Sequence, residues 1–283
     1  MIVVTGANGQ LGRLVIQSLL SKVPAAQIVA AVRQPERAAD LAELGVQLRQ
    51  ADYTKPATLD AAFQGAEKVL LISSSEVGQR TAQHKNVIDA AKRAGVSLLA
   101  YTSLLHAERS PLGLAAEHQA TEALLKESGV PHVLLRNSWY TENYLASIPP
   151  ALQHGAYIGC AGEGRIASAA RADYAEAAAV VLTQAGQAGK VYELAGDESY
   201  TLAEFAAELS KQAGKSIPYV NLPEADFKAA LVGAGLPEAL AGLLADSDAG
   251  AAKGALFDDQ RQLSRLIGRP TTALAALIEA ALR

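Results

Sequence analysis

Short runs of β-branched and leucine residues alternate along the chain with alanine-rich stretches whose apolar positions recur every three or four residues. An unbroken apolar run of five or six residues suits a strand buried on both faces, and the longer period suits a helix laid on a sheet. The alternation therefore predicts a parallel sheet with helices on both faces. The predicted strands are residues 1–5, 27–32, 46–52, 68–73, 98–103, 132–137 and 190–196, with helices over 11–22, 57–65 and 81–95 between them. Gly95 closes the last of these, in the place where a helix commonly ends on a left-handed residue.

The regular alternation stops at Asn137. Beyond it, "PPALQHGAYIGCAGEG" is rich in Gly and Pro, and "YTLAEFAAELSKQAG" and "PEALAGLLAD" read as isolated helices. The expected fold is α/β, a Rossmann-type doubly wound parallel sheet over 1–137 with 190–196 returning to it. A smaller, mainly helical C-terminal lobe over 138–283 is expected to serve mainly for substrate binding.

Composition narrows the functional classes. The chain has 283 residues, half of them hydrophobic, enough to bury a sizeable core. Its net charge is −4, with Lys and Arg scattered among acids, so no basic surface is offered to nucleic acid or anionic lipid. The opening "MIVVTG" is too short an apolar run for a signal peptide, and no segment approaches the roughly 18 apolar residues that span a bilayer. A cytoplasmic location without membrane insertion is expected. Cys160 is the single cysteine, so no internal disulfide forms, and no metal-ligand spacing of Cys or His is present.

The chemistry starts at "TGANGQLG", where Gly6, Gly9 and Gly12 follow the first strand and open the first helix. The first glycine permits a tight turn, the second lets a pyrophosphate approach the backbone, and the third lets helix and strand pack closely. At the end of the second strand, where an acid would bond the ribose hydroxyls of NAD, the sequence reads "AAVRQPER". Arg33 stands there with Arg37 one turn further, and a guanidinium suits the 2′-phosphate of NADP(H); the alternative is an exposed arginine on a loop. Ser73, Ser74 and Ser75 end the fourth strand and either line the cofactor crevice or simply terminate the strand. Asp52, ending the third, either meets the adenine amino group or caps the next helix.

Taken together, "TGANGQLG", Arg33, "ISSSEVGQR", "NVIDAAKRAGV", "YTSLLHA" and "LLRNSWYTENY" resemble the NmrA-like branch of the atypical short-chain dehydrogenase/reductases, over essentially the whole chain. The glycine loop is common to the superfamily; "SSSEVGQR" and "RNSWYTENYL" are more particular, and are similar to the quinone-reducing bacterial members. The resemblance implies NADPH bound by the sheet domain, with Gly6, Ala7, Asn8, Gly9, Gln10 and Leu11 at the pyrophosphate, Arg33 at the 2′-phosphate and Ser73, Ser74 and Ser75 in the cleft. It further implies that Asn137, Ser138, Trp139 and Tyr140 approach the nicotinamide. The segment "NSWYTENY" supports this independently, being polar and aromatic at once at the end of a strand. Trp139, Tyr140 and Tyr144 either stack on a flat ring or pack internally.

Typical members of the superfamily use a Ser to polarise a carbonyl and a Tyr, with a Lys four residues later, to donate the proton. Ser103 fits the first role, but the matching helix carries His118 and Glu122 in "EHQATE", and no Tyr-x-x-x-Lys occurs anywhere. A ketone reduced to an alkoxide, of pKa roughly 16, needs such an acid. A quinone yields a phenolate-like anion of pKa roughly 10 and needs far less help. The residues are thus compatible with NADPH-dependent, flavin-free quinone reduction, with Tyr140, His118 and Ser103 as candidate proton donors and no catalytic residue assigned. They are also compatible with a redox sensor of the NmrA type that binds NADP(H), has no activity and signals to a protein partner.

Overall fold

The computed structural model describes residues 1–283. In chain order the strands are β1 (Ile2–Thr5), β2 (Ile28–Val32), β3 (Gln47–Gln50), β4 (Lys68–Leu71), β5 (Leu98–Leu104), β6 (His132–Asn137), β7 (Tyr157–Gly159), β8 (Val191–Leu194) and β9 (Tyr219–Asn221). Seven form one all-parallel sheet in the order β3-β2-β1-β4-β5-β6-β8. Every residue of β1, β2 and β5 is buried, which is why these strands read as unbroken apolar runs. The order reverses between β1 and β4, which opens a crevice at their carboxyl ends.

Several strands stop short of their predicted ends. Residues 51–52 and 72–73 leave the ladder early and form the lip of the crevice. The helices lie close to expectation, at Gln10–Leu20, Pro56–Ala62 and Arg80–Ala94, and Gly95 closes the last at φ 66°.

The chain divides into two compact units. The first comprises Met1–Ala107, Ala116–Asn137 and Arg171–Leu194; the second comprises Glu108–Ala115, Ser138–Ala170 and Ala195–Arg283. The lobe expected over 138–283 is thus interrupted, since Arg171–Leu194 belongs with the sheet, and residues 195–196 lie outside it. The helix Arg171–Thr183 packs on Gln10–Leu20 and is buried on nearly every side. A helix covered all round has no polar stripe, so no period marks it in the sequence.

The first unit's core joins Val3, Val29, Phe63, Leu71, Leu99 and Tyr101. The second is mainly helical, with β7 and β9 as its one small parallel pair. Its helix Leu202–Ala213 opens on a capping box, in which Thr201 Oγ1 accepts the Glu204 N–H at 3.1 Å and the Glu204 carboxylate accepts the Thr201 N–H at 2.8 Å. Tyr144, Tyr157, Tyr200 and Phe205 cluster there, with the Tyr157 and Phe205 ring centroids 4.9 Å apart. No helix is long and apolar enough to cross a membrane.

Gly12 fixes the first helix against the loop before it. A Cβ there would stand 2.4 Å from the Gly6 carbonyl oxygen and 2.7 Å from the Ala7 Cα, both backbone atoms that cannot swing aside. Gly12→Ala should destabilise the protein by about 1–3 kcal/mol, read as a lower urea midpoint. Gly233→Ala, where the added carbon meets nothing within 4 Å, is the control. Equal midpoints for the two variants would mean that helix and loop are not locked together.

Candidate functional site

The glycine loop crosses the carboxyl end of β1. Gly6 turns at φ 60°, its carbonyl accepts the Gly9 N–H at 2.9 Å, and Gly9 then starts the helix Gln10–Leu20 with no side-chain cap and no acid in the first turn. The first N–H groups of that helix remain for an anion. Ala7 and Leu11 are buried, and the Ala7 N–H donates to the Ala31 carbonyl at 3.3 Å; Gln10 is exposed. Arg13 holds Asn8 and Asp40 together beside the turn.

A cavity of about 400 Å³ opens here. It brings together Gly6, Asn8, Gly9, Arg33, Ser73, Ser74 and Ser75 from distant parts of the chain, and Asp52 and Arg37 with them. A second cavity, of about 470 Å³, shares Arg33, Arg37 and Asp52 and adds Lys55, so three cations face one acid. Arg33 is 64% exposed and donates to Glu76 at 2.6 Å. Asp52 meanwhile accepts the Thr54 N–H at 2.9 Å, which makes it a turn residue ahead of the helix Pro56–Ala62.

The serine segment is held by residues whose role sequence reasoning missed. The Ser73 N–H donates to Thr102 Oγ1 at 2.8 Å, the Ser74 N–H to His84 Nε2 at 2.9 Å, and Arg80 Nε donates to the Ser74 carbonyl at 2.6 Å. Because His84 Nε2 accepts, its ring proton sits on Nδ1 and faces Thr121 Oγ1 at 2.9 Å, and Thr121 passes its own proton to the Glu117 carbonyl at 2.8 Å. His84 is fully buried, and burial, with Arg80 nearby, lowers its pKa to about 3. No pattern around a lone histidine on an amphipathic helix signals this.

The "EHQATE" segment lies in the helix Ala115–Ser128, and its residues serve as anchors. One Glu117 oxygen accepts the N–H groups of Gly78 and Arg80, each at 3.1 Å. His118 is 5% exposed, takes a 3.4 Å contact from Arg80 on Nε2, and meets the Tyr101 hydroxyl at 2.7 Å on Nδ1. Burial and Arg80 lower its pKa to about 3, so it is neutral and enclosed and is set aside as a proton donor. Ser103 is set aside as well: its hydroxyl donates to Glu122 at 2.5 Å and has no proton to offer a carbonyl. Glu122 also takes a two-pronged bond from Arg136, at 3.0 and 2.7 Å, and Arg136 reaches Glu193 at 2.8 Å. Glu193 in turn accepts the N–H of His106, a left-handed residue at φ 49° just past β5. Burial works against the Arg136 charge, but the two carboxylates outweigh it and its pKa is raised. Arg136 thus stands as the counter-charge of Glu122.

At the carboxyl end of β6, Asn137 is 6% exposed and its Oδ1 has no hydrogen-bond partner, an acceptor waiting for a donor. Next along the chain, Ser138 is buried and reaches the Leu256 carbonyl at 3.5 Å, and Tyr140 is half-buried at the start of the helix Thr141–Leu145. Trp139 and Tyr144 are buried and line a small pocket within the second unit. Cys160 is buried too; burial and nearby Asp248 push its thiol up to about 12, so it is inert.

Residues 6–185 match the NAD(P)H-binding family. The chain is 64% identical over 275 residues to quinone oxidoreductase 2 of Escherichia coli K12, covering 97% of this chain and 96% of that one. It superposes with a TM-score of 0.98 and 62% identity on an NADPH-dependent quinone oxidoreductase from E. coli solved with NADPH, each chain fully covered. It also matches the Citrobacter sp. triphenylmethane reductase complexed with NADP(H) at a TM-score of 0.96 and 39% identity, covering 99% of this chain and all of the other.

The two buried neutral histidines set an acid limit. Their folded pKa values, about 3, lie below the 6.5 of a free imidazole, so between these values the unfolded chain binds more protons. Their contribution is complete above pH 6.5 and is lost as pH falls toward 3, at up to about 1.4 kcal/mol per pH unit for each. Unfolding free energy measured between pH 6.5 and 4.5 should therefore fall with acidification, and His84→Asn should flatten the slope. A variant slope equal to that of the parent would contradict the assignment.

Proposed function

The chain belongs to the NAD(P)H-binding family, together with quinone oxidoreductase 2, and from that premise we propose that it reduces quinones by two electrons with NADPH, by direct hydride transfer and without flavin. When bound, NADPH supplies the hydride. The observation that carries the reading is the state of the helix where the superfamily keeps its proton donor. His118 is neutral and enclosed, and Glu122 is locked to Arg136 and Ser103. A ketone would find no acid there, whereas a quinone's anionic product requires little.

The residues present suit the cofactor, and the following roles are part of the proposal. The backbone from Gly6 to Leu11, with Ala7, Asn8, Gly9 and Gln10 between, holds the pyrophosphate, and Arg33 exchanges Glu76 for the 2′-phosphate. Ser73, Ser74 and Ser75 face the ribose. Asn137, whose buried Oδ1 has no protein partner, would lie on the nicotinamide side with Ser138, Trp139 and Tyr140. The expected cytoplasmic location belongs to the same proposal. The sensor reading is not favoured, since the relatives described above are reductases by name.

Direct transfer is checked with NADPH deuterated at the transferring C4 position and 1,4-benzoquinone as acceptor. A slower single-turnover oxidation is expected, and equal rates for the two isotopologues would contradict hydride transfer as written. Arg33→Asp should weaken NADPH roughly tenfold to a hundredfold, the range of a charge-assisted bond, and leave NADH nearly unchanged. Equal losses for the two cofactors would refute the role given to Arg33.

A further inference from the structure

Glu76 stands on the segment that follows β4, and both of its carboxylate oxygens are engaged. Oε1 accepts from Arg33 at 2.6 Å, and Oε2 accepts from Gln83 Nε2 at 2.6 Å. Gln83 is 5% exposed on the helix Arg80–Ala94, so the carboxylate is tied to a buried side chain. Its backbone is tied down as well. The Glu76 N–H donates to Ser74 Oγ at 3.1 Å, and two residues on the Gly78 N–H donates to Glu117 at 3.1 Å. An exposed ion pair ordinarily loses much of its worth in ordering two long side chains. Here Glu76 is already held, and only the 64% exposed Arg33 side chain remains to be ordered.

Arg33 is also shared between two cavities. It lines the first together with Glu76 and Gln83, and the second together with Arg37 and Lys55. The one acid of the second cavity, Asp52, is occupied by Thr54 and faces Lys55 at 3.6 Å. The free protein thus keeps the guanidinium of the strand end paired with an internal anion, beside a cluster of cations that offers none.

We propose that Glu76 is a cofactor-selectivity residue. Its carboxylate competes with the 2′-phosphate for Arg33 and so holds NADPH affinity, and the preference over NADH, below what the cations alone would reach. The inference rests on the reading of Arg33 as the 2′-phosphate contact. Two effects act in the same direction: the phosphate gains Arg33 only as the Glu76 pair is given up, and Glu76, kept in place by Gln83, remains as a like charge beside the same cavity. NADH has a hydroxyl in place of the phosphate, makes no claim on Arg33 and meets neither effect. NADP+ carries the same phosphate as NADPH, so the contact eases release of the oxidised cofactor as much as it loosens the reduced one.

The test is isothermal titration of NADPH, NADP+ and NADH, with no acceptor present, into the parent, Glu76→Gln, Arg33→Gln and the double variant. Glutamine keeps the length of the side chain and still accepts from Gln83, so the substitution changes charge alone. In Glu76→Gln, NADPH and NADP+ should each bind about threefold to fivefold more tightly at low salt, the upper range of an exposed ion pair, with NADH within about twofold of the parent. The gain should shrink at roughly 0.5 M salt, where exposed charges are screened. It should also shrink in the Arg33→Gln background, where the contested group is gone. NADPH binding that is unchanged or weaker in Glu76→Gln would overturn the proposal, as would equal tightening with and without Arg33 or equal tightening of NADH. Arg33→Gln that binds NADPH as tightly as the parent would instead overturn the 2′-phosphate reading beneath it.

Discussion

Arg136 places a guanidinium between two carboxylates, all three nearly out of water, and much of the site follows from that arrangement. Breaking such a buried set by removing one member typically costs about 3–5 kcal/mol. The set ties the helix Ala115–Ser128 to β6 through Glu122, and β6 to β8 through Glu193. With Glu122 fixed there, the same helix presents Thr121 to His84 and Glu117 to the backbone at Gly78 and Arg80. The serine segment at the end of β4 is thereby positioned from behind. A helix that elsewhere in the superfamily supplies a proton supplies rigidity here.

That exchange explains the direction of the chemistry. In the function proposed above, backbone amides, a strand-end arginine and an unpartnered asparagine oxygen would hold the dinucleotide. None of them is an acid. In the sheet unit His118 and Ser103 are already engaged with Tyr101 and Glu122, which suits acceptors whose reduced form is already a weak base.

Much of the fold was legible because the sheet is covered on both sides: its strands had to be unbroken apolar runs and its helices striped. The glycine loop was legible for the same kind of reason, since a φ of 60° at Gly6 and the close backbone approach at Gly12 both favour glycine. What escaped was fixed by long-range packing. The helix Arg171–Thr183 is buried all round and so carries no period. His84 and Arg80 look like ordinary residues of an amphipathic helix until the fold sets them against Ser74. Ser103 and His118 matched expected positions in spacing, but spacing does not show that their polar atoms are already engaged. Asp248 lies over a hundred residues from Tyr144 and gave no local sign of the pocket it shares with it.

The most direct test of the central claim compares acceptors. Initial rates of NADPH oxidation by the purified protein, free of flavin absorbance, are measured with 1,4-benzoquinone and with a simple ketone such as cyclohexanone at matched concentrations. Rapid consumption with the quinone and none above background with the ketone is the predicted result. Comparable turnover of the ketone would contradict the account, because it would require a proton donor that the helix Ala115–Ser128 does not hold.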